Sequence, residues 1–185
     1  MNKDELLHFL LQQSADQTFE WIQNAWRDTQ LVPKDFNWLG LAEVAAFQAR
    51  RGNEFSTRLP DLVWAKIAIA IYEYLIEKTG RAHKQSFELS IMSLRAHCII
   101  ALGSVPDDPI LDVNRIVQWF FQNVEMTLDE AREKAANWKE RPLEEIRELR
   151  YIKNRLSIIK PLFLKESLEC NQELSDWLEL QEDLP

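Results

Sequence analysis

Apolar residues recur along this chain at the three- and four-residue spacing of an α-helix. One such seam consists of Phe87, Ile91, Leu94, Cys98 and Ala101. A second consists of Leu149, Ile152, Leu156, Ile159 and Phe163. No stretch alternates at a period of two residues, as a half-buried strand would. The pattern therefore predicts an all-α fold without a sheet.

Helix start and stop signals divide this pattern into about nine helices. Capping boxes begin at Ser14 and Thr127, Asp108 is expected to cap a third helix, and Pro161 is expected to end or kink another. The predicted helices span residues 2–13, 15–28, 37–51, 60–79, 84–102, 109–123, 128–138, 142–160 and 166–182. Because most connections are short, we expect a compact bundle of antiparallel helical hairpins.

The most apolar stretch, residues 61–80, is nearly long enough to cross a membrane. Lys66 and Glu73 interrupt it seven residues apart, so they lie on almost the same side of a helix, and Glu77 continues that strip. A helix that is apolar on its other faces is typical of a core element whose charged strip reaches water. The sequence therefore predicts a central core helix and no membrane span.

The segment from Trp38 to Gly52, WLGLAEVAAFQARRG, resembles the first helix of one tetratricopeptide-type hairpin. A Trp, a Leu-Gly pair and an alanine-rich middle carry this resemblance. Leu39 and Gly40 follow Trp38 directly, whereas the repeat pattern spaces them further along, and no second copy recurs at the 34-residue period. The resemblance implies stacked helical hairpins in a helical-repeat-like arrangement.

Composition and charge narrow the classes of function. The 185 residues carry a formal net charge of −8, and a uniformly acidic surface repels phosphate, so nucleic acid is not the expected partner. Cys98 and Cys170 are too far apart for a metal-binding motif and are expected to be reduced thiols. Asp4, Glu5 and His8 interrupt the N-terminal apolar run, which lacks a secretory pattern, so we expect a cytoplasmic protein.

Catalytic, cofactor and metal motifs are absent from the sequence. Glu5 and His8 form an ExxH pair such as di-iron bundles use, but neither His83 nor His97 has a glutamate three residues before it. His97 and Cys98 are adjacent, so on a helix they point about 100° apart. No glycine-rich phosphate loop occurs. We therefore expect no catalytic residue, no cofactor and no metal, with an enzyme using the His97 region as a rival hypothesis.

Charge is segregated near the C-terminal end. Residues 139–160 include seven basic and four acidic side chains, whereas residues 166–185 include seven acidic and no basic ones. We therefore divide the chain into a helical domain, 1–165, and an acidic amphipathic C-terminal helix, 166–185. The candidate partner-binding residues are Arg147, Arg150, Lys153 and Arg155 on the basic helix, and Leu174, Trp177 and Leu178 on the acidic one.

Two arrangements of these helices remain open. The acidic helix either lies across the basic helix of its own chain or inserts its apolar anchors into a groove on a partner. We expect a non-catalytic protein–protein interaction module, such as an adaptor, assembly factor or regulator, that binds another protein, and a basic partner is one of the options left open. The alternatives are an acidic, immunity-type inhibitor of a basic toxin or nuclease, and weak nucleic-acid binding through residues 142–160. A homo-oligomer also remains open.

Overall fold

The structure, a computed structural model, describes residues 3–28, 32–33, 35–51, 59–166 and 171–185. Within these ranges the chain forms nine α-helices and no strand. The helices are α1 (Lys3–Gln12), α2 (Ala15–Arg27), α3 (Trp38–Arg51), α4 (Leu62–Thr79), α5 (Arg81–Leu102), α6 (Val113–Asn123), α7 (Leu128–Ala136), α8 (Leu143–Glu166) and α9 (Gln172–Leu180). Short 3-10 turns follow α7 at Trp138–Glu140 and α9 at Gln181–Asp183. The predicted all-α fold is confirmed.

Both predicted capping boxes are present. The Ser14 side chain accepts a hydrogen bond from the backbone N–H of Gln17, whose side chain accepts one from the backbone N–H of Ser14 in return. Thr127 and Glu130 make the same reciprocal pair at the start of α7. Hydrogen bonds from the backbone and then from the hydroxyl of Thr127 lower the pKa of Glu130. These two helices therefore begin where local sequence alone places their first turn.

The predicted start of α6 was wrong. The helix is capped by Asp112, whose carboxylate accepts the N–H of Asn114 at 2.9 Å. Asp108 instead accepts the N–H of Ile110 at 2.9 Å and stabilises a turn in the preceding loop. Each aspartate carboxylate accepts a hydrogen bond from the backbone N–H two residues further on. The same hydrogen bond can therefore stabilise either a turn or the start of a helix.

Pro161 does not end α8, so the predicted end of this helix at residue 160 was wrong. The helix continues from Leu143 to Glu166 with the proline inside it. Pro161 is exposed, as is Ser157 four residues earlier, so the carbonyl group that loses its helical partner lies on a face that water reaches. Ile159 and Leu162, on either side of the proline in the sequence, are completely buried, and their packing holds this part of the helix in place.

The chain divides into two compact units, Met1–Leu94 and Arg95–Pro185, and the division falls within α5. The boundary that the sequence suggested at 165/166 lies inside the second unit. The physical reason is that α9 packs against both α7 and α8, so the acidic helix shares the core of the helices before it.

In the first unit, α3 and α4 form an antiparallel hairpin. The N–H of Asp61 donates to the carbonyl of Ala49 at 3.0 Å at one end of the hairpin. At the other end the rings of Trp38 and Tyr74 lie with centroids 5.5 Å apart. This is the arrangement that the tetratricopeptide resemblance implies for these two helices.

The most apolar helix, α4, has the predicted single charged strip. Lys66, Glu73 and Glu77 are exposed, whereas Ile67 and Ile71 are completely buried. No helix in the described ranges is long and apolar enough to cross a bilayer. The stretch is therefore a core helix, as predicted.

An aromatic cluster connects α2 to this hairpin. Its members are Trp21, Trp26, Phe36, Trp38 and Tyr74. Trp26 stacks on Tyr74 with centroids 5.3 Å apart, and Phe36 meets Trp38 edge-on at 4.9 Å. Such pairs contribute about 0.5–1.5 kcal/mol each beyond their buried area. Three of the seven tryptophans therefore stabilise the junction between helices.

In the second unit the core lies between α6, α7, α8 and α9. Its fully or almost fully buried side chains include Ile116, Phe120, Ala131, Leu149, Ile152, Leu156, Ile159, Leu174 and Trp177. Four residues of the second predicted seam, from Leu149 to Ile159, are among them. The seam therefore identified the buried side of α8 correctly.

Replacing Asp112 by Ala should lower the free energy of unfolding by about 1 kcal/mol, because the first turn of α6 loses its side-chain acceptor. Urea denaturation followed by circular dichroism measures the change. The control is Asp112→Asn, which keeps an oxygen at the capping position and should remain within a few tenths of a kcal/mol of the wild type. Equal stability of the Ala and wild-type proteins would contradict the capping role.

Candidate interaction surface

The acidic C-terminal helix is docked on its own chain. Leu174 and Trp177 are 1% and 2% exposed, and the Trp177 ring meets Phe120 of α6 edge-on with centroids 5.6 Å apart. Leu178 is half-buried, and beyond the helix Leu184 is buried as well. Two of the three predicted partner-binding anchors are therefore part of the core of the second unit.

The residues that follow the docked helix α9 make polar contacts with side chains of α8. Lys153 donates to the backbone carbonyl of Leu184 at 2.6 Å, and the amide of Gln181 donates to the Ser157 hydroxyl at 2.9 Å. Lys160 forms an ion pair with Glu182 and, through its hydrogen bond and then its charge, lowers the pKa of that carboxyl group. Of the two arrangements left open by the sequence, this structure has the acidic segment lying across the basic helix of the same chain.

Arg155, predicted as a binding residue, is inside the second unit. It is only 6% exposed and donates to the backbone carbonyl of Asn123 at 2.6 Å. Its guanidinium carbon lies 5.7 Å from the centroid of the Trp119 ring. A cation is favoured at this position because unpaired carbonyl groups accumulate at the C-terminal end of α6. Arg155 therefore connects α8 to α6 rather than facing solvent.

Arg147 and Arg150, by contrast, are exposed. They share one side of α8 with Leu143, which is 72% exposed, and Tyr151, which is 40% exposed. At 100° per residue, these four side chains and the exposed Asn154 fall within an arc of about 100°. We call this strip of five residues the outer face of α8. It carries two arginines, two apolar side chains and no acid.

Acidic residues elsewhere on α8 contact other partners. Lys134 of α7 lies 3.7 Å from Glu145 and 3.8 Å from Glu148, and Arg141 lies 3.8 Å from Glu145. Neither Arg147 nor Arg150 makes an ion pair with any residue that the structure describes. Two of the four acidic residues in the range 139–160, Glu145 and Glu148, thus have cationic partners away from the outer face. The outer face therefore keeps the positive charge of its two arginines.

An acidic groove lies between α7 and the C-terminal helix. It has a volume of about 430 Å³. Its lining residues are Arg132, Ala135, Ala136, Asp176, Glu179, Leu180 and Asp183. Arg132 is already paired with Asp129 at 3.6 Å. We call this feature the α7–α9 groove. Sequence reasoning missed it, although the three-residue spacing of Asp176 and Glu179 indicates that these two acids share one side of α9.

The histidines and the described cysteine differ in their exposure to solvent. His8, His83 and His97 are exposed, whereas Cys98 is buried in α5. Among the described residues there is no group of three or more His, Cys, Asp or Glu side chains that could hold a metal ion. Cys170 lies outside the described ranges.

Comparison with known proteins gave no family model that matches the chain, and no significant match to a curated protein or a solved structure.

Replacing Trp177 by Ala should lower the free energy of unfolding by about 3–5 kcal/mol, because the ring fills the space against Phe120. Thermal and urea unfolding measure the loss. Glu173→Ala is the matched control, since Glu173 is exposed on the same helix and its loss should change the stability little. A Trp177 variant as stable as the control would mean that the C-terminal helix is not part of the core.

Replacing Lys160 by Met should raise the pKa of Glu182 toward its ordinary value of 4.5, because the hydrogen bond and the charge that lower it are removed. The stabilisation from this pair is present above pH 4.5 and is lost as the pH falls through the depressed pKa in the folded protein. Carboxyl ¹³C NMR titration measures the midpoint, and Lys66→Met is the control that should leave it unchanged. An unaltered Glu182 midpoint in the Lys160 variant would argue against the docked arrangement.

Proposed function

We propose that this protein is a non-catalytic protein–protein interaction module whose docking surface is the outer face of α8. The observation that carries the proposal is the pair of exposed arginines, Arg147 and Arg150, which lack an acidic partner among the described residues and are flanked by exposed Leu143 and Tyr151. Arginine and aromatic residues are enriched at the centres of protein interfaces. The complementary partner surface carries carboxylates beside small or apolar residues.

The expected interaction is weak and reversible. An exposed ion pair contributes only about 0.2–1 kcal/mol, so two arginines alone do not make a tight complex. Leu143 and Tyr151 add apolar area, at about 25 cal/mol for each Å² removed from water. Charge steers the two surfaces together and sets their orientation, while these apolar side chains supply much of the affinity. Such a surface suits an adaptor or regulator that exchanges partners.

An acidic protein is a better partner for this face than nucleic acid. The second unit, residues 95–185, carries 12 basic and 18 acidic residues, a net charge of −6. A long phosphate backbone that followed the outer face would pass the exposed Glu144, which no described cation pairs with, as well as the arginines. A partner protein places carboxylates opposite Arg147 and Arg150 alone, so it avoids this repulsion.

Site-specific photocrosslinking tests the proposal. A photoreactive phenylalanine analogue is placed at Tyr151 in cells that produce the chain natively, with the same analogue at the exposed Phe47 of α3 as the control position. Position 151 should yield a discrete crosslinked protein that position 47 does not. Absence of any product specific to position 151 would refute the docking surface.

Charge reversal makes the same test quantitative. Adding Arg147→Glu and Arg150→Glu to the crosslinking chain should reduce the yield at position 151 by about tenfold or more, because repulsion replaces two attractions. Arg27→Glu with Lys66→Glu is the matched control, since both residues are exposed and the net charge changes equally. Equal losses in the two double variants would attribute the effect to net charge and not to the outer face.

A further inference from the structure

The acidic C-terminal helix has two sides that face different surroundings. Its apolar side is buried against α6 and α8, whereas its carboxylates line the α7–α9 groove. The apolar part of the groove lining consists of Ala135, Ala136 and Leu180, and the groove volume of about 430 Å³ leaves space for an incoming side chain. The groove therefore combines carboxylates with apolar side chains, which is the kind of surface that the outer face of α8 requires.

Groove and outer face also match in length and spacing. From Leu143 to Tyr151 the outer face extends about 12 Å, and from Asp176 to Asp183 the groove wall extends about 11 Å. Asp176 and Glu179 are three residues apart on one helix, as are Arg147 and Arg150 on the other. Two helices lying side by side therefore bring both charges of one pair opposite both charges of the other.

Within one chain the two surfaces cannot meet. Glu145, which contacts Lys134 of α7, lies 200° around α8 from Leu143, because successive residues are about 100° apart. Helix α7, one wall of the groove, is therefore on the side of α8 opposite the outer face. A contact between face and groove joins two separate molecules.

We infer that the outer face of α8 docks in the α7–α9 groove of a second copy of this chain. This inference rests on the proposed function and names the partner of the same surface. The contact is heterologous: each copy offers a face to one neighbour and a groove to another, so association proceeds head to tail and continues beyond the dimer. Because the joined groups are charged and exposed, salt weakens the contact.

Analytical ultracentrifugation of the purified full chain tests the inference. Wild-type protein should show mass increasing with concentration at low salt, and much less association at about 0.5 M salt, where charges are screened within a few ångströms. Arg147→Glu with Arg150→Glu should weaken association by about tenfold or more, and so should Asp176→Lys with Glu179→Lys. Each double variant presents two like-charged surfaces to its own copies.

Mixing the two double variants is the decisive measurement. The unaltered groove of the first and the unaltered face of the second restore one native contact, and the two altered surfaces are again opposite in charge. The mixture should therefore associate although each variant alone does not. Circular dichroism melting checks that both variants are folded, and Glu179→Lys alone replaces the second variant if the pair of lysines unfolds the chain.

The outcomes separate this inference from the proposed function. A wild-type chain that remains monomeric at about 1 mM and low salt, or a mixture that does not associate, overturns the self-association. If position 151 nevertheless crosslinks to a different protein, the proposed docking surface stands with another partner. Crosslinking of position 151 to a second copy of this chain, lost in the Asp176 and Glu179 variant, supports both.

Discussion

Burial of the apolar side of the C-terminal helix is the constraint on which the second unit depends. Trp177 packs against Phe120, and both side chains are almost completely removed from water. A segment with seven acids and no base would repel itself and stay solvated unless its apolar residues were covered. Helices α6, α7 and α8 cover these apolar residues. A segment with the composition of a solvated acidic tail therefore forms a helix that is packed into the core of the second unit.

Electrostatic roles follow from this packing. Lys153 and Lys160 lie on the side of α8 that meets the docked segment, so their positive charges are used within the chain. Arg155 is buried at the end of α6 for the same reason. Arg147 and Arg150 are exposed on another side of α8, and neither forms an ion pair with a residue that the structure describes. The side of α8 on which a basic residue lies therefore decides whether it makes contacts within the chain or remains exposed to solvent.

Where the sequence misplaced a helix end, the local chemistry was ambiguous. Asp108 and Asp112 both accept a backbone N–H two residues ahead, and only the chain path decides which of them begins a helix. Pro161 weakens a helix at one position, but the contacts of its neighbours outweigh that local cost. The capping boxes at Ser14 and Thr127 were predictable because two reciprocal hydrogen bonds specify one conformation.

Sequence periodicity by itself determined that this protein is helical, and it identified the buried side of α5, except at the exposed Ala101, and of α8. It also determined that α4 has one charged strip reaching water, because these features depend on spacing within a single helix. Tertiary structure alone decided that Trp177 meets Phe120 and not a partner, that Arg155 is internal, and that an acidic groove forms beside α7. The reason is that an amphipathic helix specifies only that its apolar side is covered, and the identity of the covering surface depends on residues far away in the chain.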